Sequence, residues 1–237
     1  MWLMIEQKKT DRWKKTGVGR VRPAAAPVHF SDDEPIVEEG QQAHPGRRMT
    51  EEEFVAWVHE KTRAEWVDGE VIIMSPVSDR HADIHSWLAS ILRIWLEQHD
   101  LGCIRGDQMV RLSKPRSRRV PDLYFFSRGR ASLQLKNHFD GPPDVIFEIV
   151  SPDSAARDYR DKLKSYEASG VKEYWIIDPL VNRMEANELV KGRYRSIEDR
   201  DGAIPSKAIK GFFLRPDWCR QMSPPKVAAV LRELSGG

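Results

Sequence analysis

The sequence predicts a mixed α/β fold, an α+β arrangement in which helices cover the faces of a mixed β-sheet and β-hairpins are added to it. Three observations carry this. Short apolar runs that read as strands alternate with amphipathic stretches that read as helices. Some runs, such as DVIFEIV at 144–150 and KEYWIID at 172–178, are apolar on both faces, as central covered strands are. Two turn signals, Asp68-Gly69 and Lys191-Gly192, each join two strand-like runs. With 237 residues, 40% hydrophobic, and eight tryptophans, the chain can build one sizeable core.

The elements follow in order. Residues 1–48 differ from the rest, and segment 22–46, rich in Pro, Ala, Gly and acids, has neither helical nor strand period. We expect a flexible arm there. Met49 reads as a fresh beginning, because Thr50 is a good N-cap and Glu53 completes a capping box for a helix over 51–61. Residues 64–74 predict a hairpin. Residues 79–98 predict the strongest helix, with Ile84, Trp87, Leu88, Ile91, Leu92, Trp95 and Leu96 at helical spacing. Strands are expected at 103–112 and 119–126, separated by a basic, Pro-containing loop, and residues 131–140 read as loop with some helix. After the strand at 144–150 come a helix at 155–169 closed by Gly170, a strand at 172–178 and a hairpin over 184–197. The expected folded domain spans 49–220, and 221–237 is a tail with a helix near 225–234.

Charge excludes little globally, since the net is only +2. Locally, residues 111–119 carry Arg111, Lys114, Arg116, Arg118 and Arg119 with no acid. Such a run suits a phosphate backbone, and equally a solvated loop. Cys103 and Cys219 stand alone, in no metal-ligand spacing, so neither a disulfide framework nor a zinc cluster is expected. No apolar run approaches the roughly 20 residues of a membrane span, and the apolar start is too short for a secretory signal. A cytoplasmic protein without a membrane partner is the expectation.

The chemistry gathers on two strands. In RVPDLYFF at 119–126, the period of two places Val120, Asp122, Tyr124 and Phe126 on one face. In the next apolar strand, Ile146, Glu148 and Val150 share a face. A buried carboxylate is costly unless paired, protonated or metal-bound. A single one reads as a salt bridge; two, on strands about 20 residues apart, read as a shared cation site, and hard ions such as magnesium take oxygen ligands of this kind. The following helix packs a stripe of Tyr159, Leu163, Tyr166 and Gly170 on the sheet. Lys162 falls inside that stripe and Lys164 off it. Lys162 can hold a water or stabilise developing charge, or equally cover apolar surface with its stem. Glu65 and Glu70 flank the first hairpin turn, and Glu70 reads as solvent-facing. His81 and His85 stand at i and i+4 but lack the glutamate of a zinc protease motif, so a helix-end contact to phosphate or carboxylate is the better reading.

These residues together resemble a known family. Glu65, Asp68-Gly69-Glu70, Ser75-Pro76 and His81 form its front end. Pro121-Asp122, Glu148 with Ser151-Pro152, Asp158, Lys162, Tyr166, Gly170-Val171 and Glu173-Tyr174-Trp175 continue it. The series resembles the restriction-endonuclease-like proteins of the PD-(D/E)XK nuclease superfamily, over roughly Met49 to Cys219. The resemblance implies a restriction-endonuclease-like core and Mg2+ (or Mn2+) dependent hydrolysis of DNA. It implies Asp122 and Glu148 as metal ligands, with Glu65 as an extra acid supplied by an N-terminal element. One departure stands out: Val150 occupies the place of the expected lysine, and the resemblance implies that Lys162 takes its role. The expected chain is an endonuclease, with His81 assisting, residues 111–119 on the DNA backbone and a homodimer as its assembly. Val150 motivates an alternative, a nucleic-acid-binding module on a nuclease fold without turnover. A carboxylate-pair glycan hydrolase fits less well, because the tryptophans sit in helical core stripes.

Overall fold

The computed structural model describes residues 48–59, 62–152, 154–220 and 223–236. The expected arm at 1–48 therefore lies outside the described residues, apart from Arg48. Thr50 caps the first helix, α1 (Glu51–Trp57): its hydroxyl accepts from the Glu53 amide at 3.1 Å and Glu53 accepts from the Thr50 amide at 2.8 Å. The helix stops at Trp57, short of the expected 61, because Val58 turns extended. Strands β1 (Ala64–Val67) and β2 (Glu70–Ile73) form the predicted hairpin. Both turn residues, Asp68 and Gly69, adopt positive φ, 45° and 96°, as a type I′ turn requires.

Helix α2 (Asp79–His99) starts at Ser78, whose side chain accepts from the His81 amide, and buries all seven residues of its predicted stripe. The segment that follows corrects the sequence reading. The expected strand 103–112 is two strands, β3 (Gly102–Gly106) and β4 (Met109–Ser113), parted by Asp107 at a φ of 50°. They belong to different sheets. The expected basic loop is itself a hairpin of β4 and β5 (Arg116–Arg119). Its arginines hid the alternation, because Ser117 and Arg119 are the inward residues and neither is apolar.

Strand β6 (Leu123–Ser127) leads into a 3-10 turn (Arg128–Leu133), and β7 (His138–Asp140) lies where loop was expected. Strand β8 (Val145–Ile149) is buried throughout. The next helix begins as a π-wound segment (Arg157–Lys162) and continues as α3 (Leu163–Ser169), ending at Gly170 with φ 87°. Strands β9 (Glu173–Asp178), β10 (Arg183–Val190) and β11 (Arg193–Ser196) form a meander. Strands β12 (Ile204–Pro205) and β13 (Phe213–Leu214) pair with each other. Helices α4 (Pro216–Arg220) and α5 (Val227–Leu234) follow. Among the described residues, no helix is long and apolar enough to cross a membrane.

Two mixed sheets result. The larger has the order β11-β10-β9-β8-β6-β3, with β8 and β9 parallel and the other neighbours antiparallel. Its alternation sorts two cores. Leu123, Phe125, Val145, Phe147 and Ile149 face the α2 stripe, while Tyr124, Phe126, Ile146 and Val150 face Tyr166 and the helix that holds it. The smaller sheet runs β2-β1-β5-β4-β7. Trp66 of β1 packs there with Met49, Phe54 and Val71, and its indole donates to the Met49 carbonyl.

The hairpin arginines converge on a single acid. Glu51 of α1, itself buried, receives Arg111 Nε at 2.8 Å, Arg118 Nε at 2.8 Å and Arg116 Nη2 at 3.0 Å. Burial alone would push its carboxyl up, but the three guanidiniums outweigh that and hold it at about 2. Arg111 also reaches Asp140.

Candidate active site

Strand geometry builds the centre of the site. Strands β6 and β8 are antiparallel with Leu123 opposite Phe147 and Tyr124 opposite Ile146. Continuing that register by one residue sets Asp122 across from Glu148, on the face of Tyr124 and Ile146. Both carboxylates are buried, at 6% and 2% exposure. Asp122 lies just before β6, so the Ile149 amide, left without a strand partner on that side, donates to Asp122 Oδ2 at 2.6 Å. His81, from the first turn of α2, places Nε2 at 3.2 Å from the same oxygen. His85, one turn on, places its Nε2 at 2.9 Å from the Asp122 carbonyl. Both histidines thus serve Asp122, and Asp122 Oδ1 receives no hydrogen bond among the described residues.

The π-wound segment supplies the cation. Asp158, Lys162 and Tyr166 follow one another at four-residue steps and are all buried. Lys162 Nζ lies 2.9 Å from Glu148 Oε2 and 3.0 Å from Asp158 Oδ1. Tyr166 donates its hydroxyl to Glu148 Oε1 at 2.8 Å. Ser154, from the loop after β8, donates to Asp158 Oδ2 at 2.5 Å. Lys164 is exposed, whereas Lys162, the lysine inside the helical stripe, is buried and lines the cleft. An extra residue in a helical turn is a feature often found at functional sites.

The smaller sheet contributes Glu65 from β1. It is 1% exposed, and both its oxygens are occupied: Oε2 by Arg119 Nη1 at 2.8 Å and Oε1 by the Val120 amide at 3.0 Å. Arg119, expected on a phosphate, is therefore turned inward. Glu65, His81, Asp122, Glu148, Asp158 and Lys162 all line one cleft of about 40 Å³. That volume suits a small ion with a water or two.

Charge in the cleft is unbalanced. Burial pushes Asp122 and Glu65 up, but in each case neighbours outweigh it. His81, Lys162 and the Ile149 amide hold Asp122 low. Lys162, Arg119 and the Val120 amide hold Glu65 low. Glu148 goes the other way. Burial raises it, Lys162 opposes, and the charges of Asp122, Asp158 and Glu65 add to the rise, leaving it at about 8. Lys162 loses stability as a cation through burial, but Glu148, Glu65, Asp158 and Asp122 more than restore it and raise its pKa. Four buried carboxylates (Glu65, Asp122, Glu148, Asp158) thus face two buried side-chain cations, Lys162 and Arg119. With Glu148 ionised the surplus is two negative charges, which a divalent cation would neutralise; with Glu148 protonated it is one. No cluster of three or more His, Cys, Asp or Glu donors suited to a metal occurs among the described residues. The carboxylate pair Asp122 and Glu148 could serve a hard ion such as magnesium, which keeps several of its waters.

The structure brings Asp122, Glu148, Lys162, Glu65 and His81, the candidates of the sequence, to one cleft. Sequence reasoning gave no role to Asp158 and Tyr166. Their spacing of four on either side of Lys162 was the available signal.

A mixed sheet with adjacent carboxylates on its central strands and a lysine from the following helix defines the class, that of restriction-endonuclease-like nucleases. The chain belongs to the Uma2 family, described as "Putative restriction endonuclease", whose model matches residues 51–216. No curated protein matches it. Among solved structures, it is similar to a protein from Anabaena variabilis described as "a putative nuclease belonging to DUF820". The two are 18% identical with a TM-score of 0.62, over 71% of this chain and 96% of that one. At that identity the likeness concerns the fold.

Proposed function

We propose that this nuclease-family chain is a magnesium-dependent endonuclease that hydrolyses DNA phosphodiester bonds. The observation that carries the reading is the placement of Lys162 between Glu148 and Asp158, in the cleft that Asp122 also lines. It supplies an ammonium where Val150 leaves none, which favours turnover over a binding module.

Asp122 and Glu148 would hold the metal, and Mn2+ would serve the same oxygens. When bound, the ion would lower the pKa of a coordinated water and offset charge on the phosphate. The remaining roles belong to the chain. Lys162 is held protonated by the acids around it, so it acts as a donor that orients water and stabilises developing negative charge, not as a base. Tyr166 fixes one oxygen of Glu148 and leaves that oxygen one further lone pair. His81 and the Ile149 amide fix Oδ2 of Asp122. Glu65, with both oxygens taken, acts through its field and by holding Arg119. Cutting both strands of a duplex in one encounter is served by two copies of the site, which a symmetric dimer would supply; sedimentation would test that assembly.

The test is plasmid cleavage with Mg2+, with chelator as control. The wild type should nick or linearise plasmid, while Asp122→Ala and Glu148→Ala should not. A wild type that cuts no better than Asp122→Ala ends this reading.

A further inference from the structure

The acids of the cleft use up most of its cations, but not all. Lys162 serves Glu148 and Asp158 and Arg119 serves Glu65, while the His81 ring and the Ile149 amide hold Asp122. Two guanidiniums that also line the cleft are left over. Arg157 opens the π-wound segment, is half-buried, and makes no hydrogen bond or ion pair among the described residues. Arg63, one residue before β1, has a single long contact, 3.5 Å to Asp107, with the side chains 39% and 57% exposed. An exposed pair of that length holds an arginine only weakly. The two come from different parts of the fold: Arg63 leads into the smaller sheet, and Arg157 follows the central strand of the larger one.

A half-buried guanidinium without a partner has lost water and gained nothing in return, so it is poised for an anion. The acids beside it need a cation, so the complementary group is an anion that arrives together with one. A phosphodiester meets that description, and its two non-bridging oxygens match the guanidinium fork. Resting on the nuclease reading, we propose that Arg157 and Arg63 are the substrate-contacting residues that grip the phosphate entering the cleft, one from each side. Ile72, Met74 and Val77 line the same cleft and offer the sugar an apolar wall. A neutral glycan would leave both arginines unmet.

The test is fluorescence anisotropy of a labelled DNA duplex with the full chain over a salt series, with Ca2+ at fixed concentration in place of Mg2+ so that the acids have a hard divalent ion. Arg157→Ala and Arg63→Ala should each weaken binding at least about fivefold and lower the slope of log Kd against log salt by about one, the signature of one lost phosphate contact. Arg157→Lys should recover the slope but not the full affinity, because a point charge replaces the fork. Arg93→Ala, outside the cleft and beside Glu97, should bind as wild type does. Circular dichroism melts check that each variant folds, and Arg157→Lys keeps the charge should Arg157→Ala fail to. If wild type cuts plasmid and Arg157→Ala binds with unchanged affinity and slope, the clamp is wrong and the nuclease reading stands. If wild type neither binds nor cuts, both fall.

Discussion

If the proposed metal site is right, magnesium binding by the wild type should depend on pH, and replacing Glu148 with glutamine should abolish that dependence. In the folded chain, burial and three neighbouring carboxylates raise Glu148 to about 8, whereas an unfolded glutamate titrates near 4.5. The metal needs the ionised form, so binding must expel a proton. With a pKa of about 8, roughly a tenth of the sites are ionised at pH 7 and roughly nine-tenths at pH 9. The apparent Kd scales inversely with that fraction, so wild type should bind Mg2+ about tenfold more tightly at pH 9 than at pH 7. Calorimetry at both pH values, in two buffers of different ionisation heat, reads the affinity and the released proton together. Glu148→Gln should bind weakly at both, with no proton released. Equal wild-type affinity at pH 7 and pH 9, or an unaltered pH dependence in Glu148→Gln, would refute the reasoning.

Other consequences follow from the same geometry. Lys162→Met leaves Glu148 and Asp158 buried without their cation, and urea unfolding should show a loss of about 3–5 kcal/mol, together with loss of plasmid cleavage. Glu51 has a lowered pKa, so its contribution is present above the unfolded value of 4.5 and fades as pH falls through about 2. The stability gap between wild type and Glu51→Gln should therefore reach at most about 3 kcal/mol at pH 6, given how exposed two of its arginines are, and should shrink steadily between pH 4.5 and 2. A gap that does not change over that range would show that the arginines do not act through the charge. Leu88→Ala removes a fully buried side chain from the α2 stripe and should cost about 2–5 kcal/mol in urea without altering magnesium affinity.

How much of this was legible in the sequence varies with the physical signal. Asp122 and Glu148 were legible because a carboxylate inside an apolar, period-two run has nowhere polar to face. Lys162 was legible because a helical stripe fixes which side chains meet the sheet, and the structure buries it while leaving Lys164 exposed. The second sheet was hidden. Its β4–β5 hairpin is written in arginines, and polar residues turned inward look the same in sequence as a solvated loop. Their partner, Glu51, lies 60 residues away from Arg111 and more than that from the others, and no local pattern announces a long-range ion cluster. The inward turn of Arg119 was hidden for the same reason, since Glu65 is 54 residues distant. The break at Asp107 left no cue beyond a single residue at positive φ.

The chain passes from the smaller sheet to the larger in three residues, 120–122, between β5 and β6. The first of them, Val120, donates its amide to Glu65; the last is Asp122 itself. The two acids are thus moored to opposite ends of one short bridge. If the smaller sheet frays while the larger holds, the larger one keeps Asp122, Glu148 and Lys162 together but loses its hold on Glu65. On the proposed nuclease reading, activity would then be lost before the main core melts. Hydrogen exchange at the Val120 amide would measure how often the two halves come apart.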